Sequence, residues 1–458
     1  MGKFVAPSTV ASPKKSRVSL WPLIAATFLM VSGGTYGTED IVHGAGYGRA
    51  IWILLLTPIL WSLPTTFMIG ELASALPDEG GYYAWVRRAM GNFWGFQEAW
   101  LSLAASIFDM AIYPALFIAY LDRLFPWFQA GNRGEYVGLA VIAACVLLNI
   151  AGVEVVSTTS FWLFLALTAP FVAIVVLAPF KHGAFEHVIA SPTASHITLI
   201  GGLLVCMWNY MGWDNASTIA CEVENPQRNY PRAMLLTVLI VALSYIVPVA
   251  AMWSTKLSPA AWETGSWADM AGMLGGSVLQ VALVLGGMIS AFGMFNALVM
   301  SYSRLPLAMA QDGLLPRMFS WRHPRTRAPW VAIIVLATGW AMCLGLGFER
   351  LVTLDILIYG SSLFLEFLAL AVLRIREPKL PRGFRVPGGL FGAFAIGVAP
   401  MLMLGFSIVR SESERVWGMS SLMFGLLVAM AGVAIYFLIS AYKAMRTAAS
   451  EEKPRPAS

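Results

Sequence analysis

Of the 458 residues, 58% are hydrophobic and 12% are charged, where a soluble domain carries roughly 25% charged residues. Apolar stretches of about 20 residues recur along the whole chain, which excludes a soluble globular domain and reads as one polytopic membrane unit. The net charge of +5 is gathered in alternate loops, where it sets topology and does not mark a nucleic-acid partner.

In chain order, residues 1–16 are rich in Ser, Ala, Pro and charge and are expected to form a disordered tail. Lys14-Lys15-Ser16-Arg17 has the look of a signal-peptide n-region, but no A-x-A site follows and apolar segments continue, so the first span is read as retained. Twelve spans are predicted, at residues 20–46, 49–72, 94–122, 134–152, 157–179, 197–222, 232–254, 275–303, 328–347, 351–373, 390–410 and 417–440. The third and eighth are long enough to tilt. Residues 443–458 again read as a disordered tail. Cys145, Cys206, Cys221 and Cys343 all fall in or at the ends of spans, so no disulfide framework is expected.

Lys and Arg are concentrated in the loops holding Arg87 and Arg88, Arg228 and Arg232, Arg304 to Arg327 and Arg374 to Arg385, and in both tails. That asymmetry places both termini in the cytoplasm of a plasma or inner membrane.

Two spans are interrupted at their centres, the first at Ser32-Gly33-Gly34-Thr35-Tyr36-Gly37 and the sixth at Gly212-Trp213-Asp214-Asn215. In hydrocarbon an unpaired backbone group costs several kcal/mol, so unwound backbone survives only where it lines a cavity, and carriers bind substrate at such places. The interruptions open two five-span halves, 17–179 and 197–373, with an appended pair of spans at 390–442. Five is odd, so the second half enters inverted. The fold class expected is all-α: a single transporter domain, residues 17–442, with a 5+5 inverted repeat and two extra C-terminal helices.

Loop motifs carry a family resemblance. Pro77-Asp78-Glu79-Gly80-Gly81-Tyr82-Tyr83-Ala84-Trp85-Val86 and Gly91-Asn92-Phe93-Trp94-Gly95-Phe96-Gln97-Glu98 resemble the loop between spans 2 and 3 of the amino acid/polyamine/organocation superfamily. Glu222-Val223-Glu224-Asn225-Pro226-Gln227-Arg228-Asn229-Tyr230-Pro231-Arg232-Ala233 and Met309-Ala310-Gln311-Asp312-Gly313-Leu314-Leu315-Pro316 agree with its span 6 exit and its loop after span 8. Val31 to Asp40, Phe108-Asp109-Met110-Ala111-Ile112-Tyr113-Pro114 and Leu365-Glu366-Phe367 look most like its plant polyamine/proton symporter branch. The resemblance implies a leucine-transporter-like fold and an amine-bearing substrate.

The candidate site follows from the residues themselves. Ser32, Gly33 and Gly34 leave helical geometry cheaply and are expected to expose N–H groups, and the half-helix after Thr38 points its positive end at the break. At the second break Trp208 sits where the resembling family has an aromatic gate, with Asn209 beside it and Gly212, Trp213 and Asp214 in the unwound turn; an indole face suits an ammonium. Taken alone, a tryptophan in a span is more often packing. Asp109, Asp214 and Glu366 lie well inside spans at a cost of ~2.5–3.5 kcal/mol each, which makes function the default. Glu39 and Asp40 are weaker candidates, because an acid at a helix start is favoured by the dipole alone. Asp355 is read as solvated near the outer end of span 10. Glu71, Arg87, Arg88, Glu222 and Arg304, at cytoplasmic span ends, are candidates for an inner gate or for ordinary solvated ends.

Some proton-coupled relatives carry a lysine in span 5, but residues 157–179 contain no Lys or Arg. Proton coupling then falls to a desolvated carboxylate, Asp109 or Glu366, with a sodium site near Ser290 as the open alternative. No cofactor or metal motif is read. The five histidines, His43, His182, His187, His196 and His323, lie in loops or at span ends, and neither H-E-x-x-H nor G-x-S-x-G occurs, which argues against an enzyme. Glu39, Asp40, Asp109 and Asp214 form an unusually acidic set and favour a polyamine. An amino acid carried by exchange or uniport, or a transporter-derived sensor without flux, stays open.

Overall fold

The computed structural model describes residues 18–78, 80–129, 131–152, 158–186, 198–410, 415–416 and 418–451. The chain is built from α1 (Leu20–Val31), α2 (Glu39–Thr57), α3 (Leu63–Ala75), α4 (Gly81–Met90), α5 (Asn92–Asp122), α6 (Arg133–Ala151) and α7 (Thr158–Leu177). A second series comprises α8 (Leu199–Asn209), α9 (Pro226–Trp253), α10 (Trp267–Gln311), α11 (Trp330–Met342), α12 (Phe348–Arg376), α13 (Gly389–Arg410) and α14 (Ser421–Glu451). A two-residue hairpin, β1 (Arg415–Val416) with β2 (Met419–Ser420), precedes α14.

Among the described residues nine helical stretches are long and apolar enough to cross a membrane, and α1 and α11 are shorter apolar helices. Helices dominate because they satisfy every backbone group within the segment, which hydrocarbon requires. α5 packs closely against both α10 and α12 at the centre, while α13 and especially α14 lie outside. Trp52, Leu56, Ile59, Trp162, Val172, Leu402, Leu426 and Phe437 face outward, an apolar girdle that fits lipid and not water.

Sharp turns fall on glycine. α2 changes direction at Gly46 (φ 71°, ψ 159°) and α10 at Gly276 (φ 72°, ψ −170°), a region that L side chains enter only with strain. The second of these turns separates residues 267–275 from the long span that begins near 276, so α10 starts earlier than the span predicted at 275–303. Between α2 and α3, residues Pro58–Ser62 widen to a π-helix, as expected where proline removes an N–H from the ladder.

The end of the chain departs from expectation. α14 continues to Glu451, through residues 443–451 read from sequence as a disordered tail. Lys443-Ala444-Met445-Arg446 and Ala448-Ala449 are strong helix formers, and their propensity carries the helix beyond the apolar stretch. Residues 1–17 and 452–458 lie outside the described residues. Cys145, Cys206 and Cys343 are free and buried, and the side chain of Cys221 lies outside the described residues.

Candidate functional site

Two interruptions face each other at the centre. α1 stops at Val31, where Ser32 and Gly33 both donate N–H to the carbonyl of Phe28, at 2.8 and 3.2 Å. Gly33 (φ 60°), Gly34 (φ 107°) and Gly37 (φ 85°) then carry the chain through positive φ to Glu39, the start of α2. The backbone here is not an open anion cradle. Gly34 N–H is taken by Ser32 Oγ at 3.1 Å, so the donors expected to be exposed at residues 32–34 are satisfied within the segment.

The second interruption begins after Asn209, passes Gly212 (φ 81°), and resumes as a 3-10 helix over Trp213–Glu222. Asn209 Nδ2 donates to the carbonyl of Gly37 at 3.1 Å, joining one break to the other. Ser290 Oγ on α10 donates to the carbonyl of Gly33 at 2.5 Å, and Thr35 Oγ1 to that of Ser244 on α9 at 2.6 Å. Ser290, the sequence candidate for a sodium ligand, is thereby a clasp on the first break.

A cavity of about 20 Å³ lies between these breaks, lined among others by Met30, Val31, Asp109, Trp208, Gly212 and Asp355. That is room for water and not for an organic amine. Asp109 is its polar centre: Oδ1 accepts from Tyr113 Oη at 3.0 Å and Trp208 Nε1 at 3.2 Å, and Oδ2 from Tyr302 Oη at 3.1 Å. Asp214 Oδ1 accepts from Tyr359 Oη at 2.6 Å, and Tyr359 is itself a wall of the cavity.

Of the residues expected from sequence, Asp109, Trp208 and Gly212 line the cavity, while Asp214 meets it through Tyr359 and Asn209 spends its amide on the opposite break. Trp213 is fully buried with its indole N–H on the carbonyl of Tyr210, so it packs the turn and does not face the cavity. Glu39 lies one layer away, accepting from Tyr120 Oη at 2.5 Å and Gly265 N–H at 2.9 Å, and neighbouring Asp40 accepts from Thr264 Oγ1 at 2.7 Å. These two acids anchor the loop between α9 and α10.

Asp355 corrects the sequence reading. It is 2% exposed and lines the cavity opposite Asp109, whereas hydropathy placed it in solvent. α12 begins at Phe348 and packs against α5, and Asp355 lies two turns inside it. Glu98 had no assigned role, yet it is fully buried, holds Ser102 Oγ at 2.8 Å through one oxygen and leaves the other without a partner. Both carboxylate oxygens of Glu366 are likewise buried without a hydrogen bond. The signal for both acids was spacing: Glu98 and Asp109, and Asp355 and Glu366, are each eleven residues apart, three turns on one helix face.

The residues expected at an inner gate pair with other partners. Glu71, fully buried, does not pair with Arg87 or Arg88; it binds Arg374 in a fork and Arg382 at 3.0 Å, and accepts the N–H of Val386 at 2.7 Å. Arg87 pairs with Asp312, which also takes Tyr83 Oη at 2.7 Å, and Arg88 forks onto Glu377 at 2.8 and 2.7 Å. Arg304 donates to the carbonyl of Thr218 at 2.5 Å. The side chain of Glu222 lies outside the described residues. α4 and the ends of α3, α10 and α12 are thus cross-linked at one end of the bundle.

The family profile described as amino acid permease matches residues 23–431, spanning both breaks, the carboxylates and the ion-paired end. The chain belongs to the amino acid permease family. This permease is similar to the polyamine transporter RMV1 of Arabidopsis thaliana, 33% identical over 390 residues, covering 85% of this chain and 79% of that one. It is also similar to the polyamine transporter PUT1 of Oryza sativa subsp. japonica, 33% identical over 402 residues, 87% of this chain and 75% of that one. The serine/threonine exchanger SteT of Bacillus subtilis is 26% identical over 403 residues, 86% of this chain and 89% of that one. The permease is a multi-pass membrane transporter and not an enzyme.

Proposed function

We propose that this permease carries polyamines or other cationic amines by proton-coupled alternating access. The carrying observation is the meeting of Asp109, Asp214 and Asp355 at the central cavity, where, among the described residues, none of the three takes part in an ion pair. Buried anions without counter-charge cost several kcal/mol per ion, so the set demands either protons or a cation carrying more than one charge. A polyamine supplies the second, and exchange of one for the other couples its movement to a proton gradient. Asp109 and Glu366 are the carboxylates assigned to that exchange.

A zwitterionic amino acid fits less well, because its carboxylate would seek N–H donors at residues 32–34 that are already bonded to Phe28 and Ser32. The substrate site in this reading is Asp109, Trp208, Gly212 and Asp214, with Ser32, Gly33, Gly34 and Asn209 shaping the breaks around it. Cytoplasmic closure falls to Glu71, Arg374 and Arg382, with Arg87, Arg304 and Glu222 at the same mouth. The wider arrangement proposed is twelve spans in a plasma or inner membrane, the halves 17–179 and 197–373 inverted on one another, and both termini cytoplasmic. The basic loops support that orientation.

The test is uptake by proteoliposomes of labelled putrescine, spermidine, arginine and neutral amino acids, with and without an inward proton gradient. Putrescine and spermidine are expected to enter, faster with the gradient, and Asp109→Asn or Asp214→Asn to lower their kcat/KM about 100-fold. Uptake of neutral amino acids alone, undisturbed in both variants, would defeat the proposal.

A further inference from the structure

The central acids form one end of a longer acidic track. Glu98 and Asp109 on α5, and Asp355 and Glu366 on α12, are each eleven residues apart, which is within about 20° of a whole number of turns and a rise of ~16 Å. The two helices pack against one another, with Asp109 and Asp214 as charged neighbours of Asp355, and Asp214 and Glu98 as charged neighbours of Glu366. Asp214, on the 3-10 segment, is a charged neighbour of all four.

The far end of the track is short of partners as well as acidic. Besides one oxygen of Glu98 and both of Glu366, the hydroxyls of Tyr82 and Ser217 are buried and unpaired. Tyr82 is 0% exposed and has Asp214, Glu98 and Glu366 as its charged neighbours. Two unsatisfied hydroxyls and three unsatisfied carboxylate oxygens carry a desolvation cost that protonation of the acids lessens and a donor-rich guest relieves.

Resting on the cationic-amine reading above, we propose that Glu98, Glu366 and Tyr82 form a second ammonium station, so that the permease distinguishes amines by chain length. At about 1.2 Å per bond in an extended chain, the five bonds between the nitrogens of putrescine reach ~6 Å, and the thirteen bonds of spermine ~16 Å. A diamine placed at Asp109 and Asp355 falls short of Glu98 and Glu366, a rise of ~16 Å away along the helices. A tetramine spans both stations and engages Asp214 with its inner amines. The small central cavity means that its wall, Tyr359 included, moves aside for any amine, and a longer one needs Tyr82 to move as well.

The experiment measures kcat/KM for putrescine and for spermine in proteoliposomes at equal pH on both sides, for wild type, Glu98→Gln and Glu98→Asp, each checked for monodispersity in detergent. Glu98→Gln is expected to lower the spermine-to-putrescine ratio tenfold or more, and Glu98→Asp, which keeps the charge, to recover most of it. An unchanged ratio in Glu98→Gln, or equal loss of both amines, overturns the second station; the latter is the signature of a structural or proton-carrying Glu98. A wild type that carries neither amine overturns the cationic-amine reading itself and this inference with it, a result separable from the others because no variant is needed to see it.

Discussion

Trp208 donates its indole N–H to Oδ1 of Asp109 at 3.2 Å, tying the end of broken α8 to the intact α5. The same ring stands edge-on to Phe348 at 5.6 Å and near Tyr113 at 6.1 Å, so the aromatic wall and the acidic centre of the cavity are one unit. Trp208→Phe keeps the wall and removes the donor. The indole N–H fixes the Asp109 carboxylate at the cavity, so without it KM for a cationic amine is expected to rise severalfold. Wild-type KM in this variant would remove the indole N–H from substrate recognition.

Gly33 combines φ 60° with close contact to Ser290 and Met294 of α10. Any side chain there meets both, and an L residue at this φ adds about 1–2 kcal/mol of strain. Gly33→Leu is expected to insert in the membrane and run as a single species in detergent yet to show no uptake above empty vesicles. Transport near the wild-type rate would mean that the first break is not in the moving part of the carrier.

Glu71 is 0% exposed and faces Arg374 and Arg382, themselves 8% and 2% exposed. Glu71→Gln leaves two buried cations without their anion, a change that costs about 3–5 kcal/mol. Thermal unfolding in detergent should show a fall in Tm of several degrees, together with poor closure seen as substrate leak. A Tm within a degree of wild type would place the pair in solvent.

The Arg88 and Glu377 pair offers the contrast. Its side chains are 45% and 32% exposed, and the Arg88 fork holds the Glu377 carboxyl below its usual range. A lowered carboxylate contributes stability that is present above the ordinary value near about 4.3 and is lost as pH falls through the lowered one. Because water screens the pair, Arg88→Ala is expected to cost only a few tenths of a kcal/mol at neutral pH, and nothing at a pH where Glu377 is protonated in both proteins. A loss of several degrees in Tm at pH 7 would contradict this.

Much of the architecture was legible in the chain alone. Runs of apolar residues demand helices in lipid, and the glycines at 33, 34 and 212 mark where those helices stop, because only glycine crosses into positive φ without strain. Composition also made Asp109, Asp214 and Glu366 conspicuous, since an acid within a span is costly wherever it points.

What only the tertiary structure decided is which acids meet. Hydropathy is blind to which face a helix turns inward, so Asp355, near the end of its span, looked like a solvated residue and Glu98 drew no role until the packing of α5 on α12 buried both. Trp213 looked like a site residue until its turn folded it away, and Glu71 found Arg374 and Arg382, some 300 residues onward, in place of the nearby Arg87. Local sequence sets where a helix must bend; long-range contact sets what its side chains see, because a buried charge is stable only beside partners that the fold alone brings into reach.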